Sequence, residues 1–285
     1  MFGTQNKRYY MTLAIAWKRE NRIGLIADSR FSINGKHQDY GIKLFEIPLR
    51  IKNTWNDFEY KEDIGLVFSG YAESGLLVKE IISQVGSRVR YQTNPNDPEP
   101  LSLKRLLEYF KEIVKTTPLA IFQGLGFTSN VSFFICGFCN KLGAQRLFQI
   151  DIKIKADADE NSFSDCCINE LLKEDQFGFV CIGDTNAINF FYEKMNSANT
   201  KGVGLVFSVL KEIIASDKFP SVGGNMQCGI ISDKDFQICA FHKMTEDNPR
   251  INFLGFDFNN QLISQKFGEF TFSGPQIIDD FLDRN

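Results

Sequence analysis

Histidine is nearly absent: His37 and His242 are the only two in 285 residues. A nucleophile–histidine pairing would have to use one of them, and neither lies in a recognisable nucleophile motif. His242 ends an apolar strand pattern and reads as structural. No apolar run approaches the roughly 20 residues of a membrane span, so a soluble chain with no membrane partner is expected. The run Tyr9 to Trp17 follows Lys7-Arg8 in the manner of a weak leader. Lys18-Arg19-Glu20 interrupt it at once and no small-x-small cleavage site follows, so the expected location is the cytoplasm. A net charge of −3 leaves no basic excess, and nucleic acid is not an expected partner. Internal repeats and low-complexity segments are absent as well.

What is present is ordinary globular composition, 43% hydrophobic and 24% charged, which excludes a disordered or collagenous chain. A chain of this length buries roughly three quarters of its unfolded surface and needs no disulfide or metal staple. The 28 phenylalanines against two tryptophans mark a packing habit. Seven cysteines is an odd number, and they sit in apolar segments, which points to reduced, buried thiols. Cys136 and Cys139 have C-x-x-C spacing, but residues three apart on a strand face opposite ways. No second pair follows at zinc spacing, so neither a metal site nor any cofactor is expected.

The chain reads as blocks. Residues 12–18 and 22–28 are strand patterns joined by a short charged hairpin. Further strands are expected at 42–47 and 64–69, with a polar and aromatic inserted loop or ribbon between them at 50–63. Helical spacing covers 72–90 and 102–115, separated by a connector with three prolines at 94–100. Strand patterns return at 131–138, 146–152 and 177–182, helices at 185–196 and 202–215, and strands at 226–231, 236–241 and 250–257. A short helix is expected at 275–283. Blocks of strands alternating with paired helices suggest an α+β fold: a four-layer αββα sandwich of two antiparallel sheets flanked by helices. The expectation is a single domain over 1–285, with 1–11 a propeptide or over-called start and 246–285 a C-terminal extension.

Four segments stand out in order: Met11-Thr12-Leu-Ala-Ile-Ala-Trp, Gly24-Leu-Ile-Ala-Asp28-Ser29-Arg30-Phe31-Ser32, Gly41-Ile-Lys43-Leu-Phe-Glu-Ile-Pro48, and Gly65-Leu-Val-Phe-Ser-Gly70-Tyr-Ala-Glu-Ser. Over roughly residues 12 to 90 the chain resembles the proteasome β-subunit family of N-terminal-nucleophile hydrolases. It is more similar still to the bacterial Anbu branch, the ancestral β-subunit, through Ile182-Gly183-Asp184-Thr185 and Ser221-Val222-Gly223. The resemblance implies the N-terminal-nucleophile fold, a threonine-type amidohydrolase or peptidase acting on a peptide or amide substrate, and a homo-oligomer.

The chemistry follows from the residue types. A threonine hydroxyl is a weak nucleophile at neutral pH. Were Thr12 the first residue, its α-amine, with a pKa near 7.7 to 8.0, would serve as base. The Lys43 charge would lower the hydroxyl pKa, with Asp28 holding that lysine in place. The Gly70 N–H would stabilise the oxyanion. The resemblance implies that Arg30 and Ser32 line the cleft, Ser32 binding substrate backbone, and gives Asp184 and Ser221 supporting roles. Three features depart from the family. Ten residues precede Met11, and Met11 stands where propeptides usually end in Gly. The turn is Gly183-Asp184-Thr185 rather than Gly-Ser-Gly-like. Asp217 lies two residues farther from its glycines than the family spacing. The alternatives are a catalytically inactive proteasome-like structural or interaction subunit, and an N-terminal-nucleophile amidase for a small amide.

Overall fold

The computed structural model describes residues 12–33, 36–53, 57–92, 100–115, 130–156, 162–173, 176–231, 233–243, 250–259 and 276–278. The first two strands, β1 (Leu13–Arg19) and β2 (Arg22–Asp28), pair antiparallel across a tight turn in which Glu20 takes a φ of 53°. They seed the largest sheet. Its order is β13 (Gly178–Gly183), β1, β2, β14 (Met226–Ile231), β15 (Phe236–Lys243), β16 (Arg250–Phe253) and β17 (Phe256–Asn259). β18 (Gln276–Ile278) also joins this sheet, parallel to β15. A five-stranded antiparallel sheet runs β12 (Ser162–Leu171), β11 (Ala144–Ala156), β10 (Val131–Cys139), β8 (Asp63–Gly70) and β5 (Leu44–Pro48). Two small ribbons pair β3 (Phe31–Ile33) with β4 (Lys36–Gln38), and β6 (Ile51–Asn53) with β7 (Phe58–Tyr60) and β9 (Arg90–Tyr91). The described helices are α1 (Ala72–Gly86), α2 (Leu103–Val114), α3 (Thr185–Ser197) and α4 (Val203–Ile214).

The strand period of two decides which side chains meet. On β1, Leu13, Ile15 and Trp17 join a core with Phe191 and Met195 of α3 and Phe207 and Leu210 of α4. Ala14 and Ala16, on the other face, pack with Val67 of β8 and Phe134 of β10. On β8, Ile64, Leu66 and Phe68 turn instead toward Val78 of α1 and Leu106 and Phe110 of α2. Both faces of these strands are therefore buried, which is why they read as continuous apolar runs. The same period separates Cys136 from Cys139, which enter different cores. All seven cysteines are free. Five are buried, but Cys181 is only partly so and Cys167 is exposed, against the expectation of uniformly buried thiols.

The expected helix-flanked αββα sandwich is corrected by this architecture. Eighteen strands form four sheets, against four helices among the described residues, so the molecule is mostly antiparallel β. The physical reason is visible in the added strands. β3, β4, β6, β7 and β9 are two or three residues long, too short to carry a period. β12, with the sequence Ser-Phe-Ser-Asp-Cys-Cys-Ile-Asn-Glu-Leu, has polar residues on both faces and no clean alternation. The run expected as one strand at 250–257 is a hairpin, broken at Leu254 (φ 52°) and Gly255 (φ 86°). The helix expected at 275–283 is also corrected: residues 276–278 form β18, and 279–283 lie outside the described residues. The expected propeptide or over-called start at 1–11 and most of the connector at 94–100 fall outside them too. No described helix is long and apolar enough to cross a membrane.

Phe236 is wedged where the two large sheets meet. It is fully buried, and a Cβ added at Gly65 of β8 or Gly229 of β14 would stand 2.4 or 2.2 Å from its ring. Gly65→Val is therefore expected to cost about 1–3 kcal/mol by overpacking, read from the shift of the urea midpoint. An unchanged midpoint would show that the ring is not wedged there.

Candidate active site

Asp28 closes β2 and is wholly buried, so its carboxylate must find donors inside the protein. It finds four. Oδ1 accepts the Leu13 N–H at 3.0 Å and the Lys43 ammonium at 3.1 Å. Oδ2 accepts the Arg30 N–H at 3.1 Å and the Gly223 N–H at 3.0 Å. One side chain thus ties the start of β1, the exit of β2, the segment before β5 and the loop before β14. Lys43 is equally buried; its ammonium also donates to the Arg30 carbonyl and lies 5.4 Å from the centre of the Phe31 ring. Burial pushes the Lys43 pKa below its ordinary value, while the Asp28 charge and hydrogen bond oppose that shift.

Thr12 is buried immediately before β1. Its carbonyl accepts the Asp184 N–H at 2.9 Å and the Ser69 hydroxyl at 3.4 Å, so both large sheets reach it. The approach is close enough to demand glycine at 183. φ is +130° there, and a Cβ would lie 1.6 Å from the Thr12 carbonyl oxygen. Asp184 caps α3, its Oδ1 accepting from the Asn186 and Ala187 N–H groups, and its Oδ2 accepts the Ser221 hydroxyl at 2.5 Å. Gly70 ends β8 with φ +116°, packed against the Asn130 carbonyl.

The structure therefore brings Asp28 and Lys43 into contact beside the residue that follows Thr12, and joins Asp184 to Ser221 beside the Thr12 backbone. Among the described residues, the Lys43 ammonium bonds to Asp28 and Arg30, and no hydrogen bond joins it to the Thr12 hydroxyl. Ser32 is turned to His37 across the β3–β4 ribbon, at 2.9 Å from Nδ1. Arg30 is a clamp. It grips Asp39 through Nε at 2.5 Å and Nη2 at 3.0 Å, and its Nη1 donates to the carbonyls of Pro220 and Val222 on either side of Ser221. A separate cavity of about 670 Å³ lies between α1, α2 and β9, lined by Arg88, Arg90, Arg105, Tyr91 and Tyr109, and shares none of these residues. Among the described residues no group of three His, Cys, Asp or Glu side chains is placed to hold a metal ion.

Two participants are missing from the sequence reading. Asp39 carries no local signal, because its partner lies nine residues back on a different segment. Gln227 does: it is the one amide in the otherwise apolar strand Met-Gln-Cys-Gly-Ile-Ile, and it is fully buried. A buried amide in a strand must serve neighbouring polar groups.

No protein-family model matches the chain, and no curated protein matches it. Among solved structures, the helical assembly of the Anbu complex from Pseudomonas aeruginosa is similar to it, at a TM-score of 0.55. That similarity covers 83% of this chain and 88% of the other, at 14% sequence identity. At that identity the likeness is one of fold alone.

The Arg30 guanidinium holds the Asp39 carboxyl below its ordinary value of 3.8. Native Asp39 thus binds a proton more weakly than unfolded Asp39. Its stabilising contribution is complete above the unfolded value and fades as pH falls through the lower native one. The stability deficit of Asp39→Asn against the natural chain, measured by urea denaturation, should be constant between about pH 7 and 5 and shrink below about pH 4. A deficit that grows in acid would contradict the clamp.

Proposed function

We propose that this protein is a threonine-type amidohydrolase, a peptidase of a proteasome-like oligomeric assembly, with Thr12 as nucleophile once it becomes N-terminal. The observation that carries the reading is the buried Lys43–Asp28 pair, fixed by Asp28 to the Leu13 N–H, one residue from the Thr12 hydroxyl. The Lys43 ammonium, bonded to the Asp28 carboxylate in a site that excludes water, can favour the alkoxide. The freed Thr12 α-amine takes the hydroxyl proton as the hydroxyl attacks the scissile carbonyl. The Gly70 N–H is assigned to the resulting oxyanion. The amine then returns the proton to the leaving nitrogen, and water hydrolyses the ester. Asp184 and Ser221, bonded to each other beside the Thr12 backbone, are assigned to holding the α-ammonium. Ser32 is assigned to substrate backbone. The reaction uses the chain's own groups and calls for no cofactor. The fold likeness to a subunit of the Anbu assembly supports a homo-oligomer.

A second reading, an inactive structural or interaction subunit, is favoured by one observation: Lys43 spends its hydrogen bonds on Asp28 and Arg30 rather than on Thr12. The N-terminus of the purified protein decides between them. An amide nitrogen has lost the lone pair that acts as base, so activity requires a free Thr12. A chain shortened to begin Met11-Thr12 is expected to lose Met11 by mass spectrometry and to hydrolyse a fluorogenic peptide panel. Thr12→Ala and Lys43→Ala should each reduce that rate by about 10³-fold or more. Hydrolysis by protein that retains residues 1–10 would refute the N-terminal mechanism. Retention without hydrolysis selects the structural subunit.

A further inference from the structure

Lys43 is held from behind as well as from the front. Residues 41–43 precede β5 and lie outside any ladder, yet Gly41 and Lys43 are buried, so their backbone groups need partners. The Gly41 N–H donates to the Ser29 carbonyl at 2.7 Å, and the Lys43 carbonyl accepts the Phe68 N–H at 3.3 Å. One side chain serves the Lys43 N–H and the Gly41 carbonyl. Gln227 Oε1 accepts the Lys43 N–H at 2.9 Å and the Leu44 N–H at 3.1 Å. Its Nε2 donates to the Gly41 carbonyl at 2.6 Å and to the Leu254 carbonyl at 3.1 Å. Every hydrogen-bonding position the amide needs is thereby used inside the protein.

The fourth of those bonds reaches outside the region that resembles the family, into the β16–β17 hairpin. Its turn is locked to the site at a second point. Asn225 donates to the Gly255 carbonyl from Nδ2 at 2.7 Å, and its own N–H donates to the Ser29 hydroxyl at 2.8 Å. Ser29 follows Asp28 directly. Gly255 sits so close to it that an added Cβ would lie 3.0 Å from Ser29 Cβ, at a φ of +86° that favours glycine.

We infer that Gln227 is a positioning residue for Lys43, and that the Leu254–Gly255 turn of the C-terminal hairpin is the outer half of the same brace. The segment read as an extension is then part of the site's support, because its turn carbonyls fix the two amides that fix Lys43 and the loop beside Asp28. This rests on reading Lys43 as a site residue, but its test does not depend on hydrolysis.

Two variants attack the brace from opposite ends. Gln227→Met removes the inner amide at similar volume. Gly255→Ala keeps the Gln227 amide and strains the turn, its new Cβ pressing on Ser29, which keeps the test open if the first variant does not fold. Each full-length chain is treated with acetic anhydride, and lysine acetylation is timed by peptide-mapping mass spectrometry. Lys18 is the internal control: it is buried too, and lies toward the far end of β1 from Thr12, roughly 20 Å along the strand. The expected result is that Lys43 is acetylated about tenfold faster or more in both variants than in the natural chain, with Lys18 unchanged. Lys43 protection equal to the natural chain in Gly255→Ala would overturn the hairpin's part. The same in a folded Gln227→Met would overturn the brace altogether. A parallel rise at Lys43 and Lys18 would also overturn it, since that is general loosening. Selective unmasking of Lys43 in a protein that hydrolyses nothing would keep the brace and reject the hydrolase reading.

Discussion

A lysine ammonium and an aspartate carboxylate, both fully excluded from solvent and 3.1 Å apart, constrain everything around them. Moving either ion out of water is unfavourable by several kcal/mol, and their mutual attraction offsets this only when the remaining lone pairs and protons are also satisfied. That requirement explains the geometry of four separate segments. The Leu13, Arg30 and Gly223 amides converge on Asp28 because a buried carboxylate needs them. The Arg30 carbonyl turns inward because the Lys43 ammonium has further protons to place. Satisfying one charge thus fixes the start of β1, the exit of β2, the approach to β5 and the loop before β14.

The same economy appears around Thr12. Asp184 caps α3, donates its own N–H to the Thr12 carbonyl and accepts the Ser221 hydroxyl. Ser221 in turn lies between two carbonyls held by Arg30, which Asp39 orients. Structural and candidate catalytic groups are shared, so a substitution here moves stability and chemistry together. Such overlap suits a site whose working parts come from strand ends: the ladders fix the backbone, and the polar groups left at their ends become available for chemistry.

Long, doubly buried strands were legible in the sequence because continuous apolar runs have few other readings. β2 and β14 begin and end where expected, and β1 is displaced by one residue. The helices were legible through their stripes, although α1 stops at Gly86, short of residue 90. The β6–β7 ribbon was legible only as an inserted loop or ribbon at 50–63. The β3–β4 ribbon, β12 and the break in the 250–257 strand were not, because short or polar strands are defined by their partners rather than by their own pattern. This is also why the overall class was misjudged toward helices. At the site, Asp28 and Lys43 were legible as residue types in an ordered motif. Arg30 and Ser32 were legible as positions, but their partners Asp39 and His37 depend on how β3 and β4 pair. Gln227 could have been found from polarity alone, as a lone amide in an apolar strand.

Because the buried pair organises the rest, its coupling free energy is the most direct measure of the account. Asp28→Asn and Lys43→Met, singly and together, can be compared by urea denaturation at neutral pH in a double-mutant cycle. Either single change leaves one buried group without its partner and is expected to cost about 3–5 kcal/mol. The double variant removes both charges at once. It is expected to be more stable than the sum of the single losses predicts, by about 2 kcal/mol or more. Losses that add to within about 0.5 kcal/mol would show that the two residues do not act as a pair, and would contradict the account.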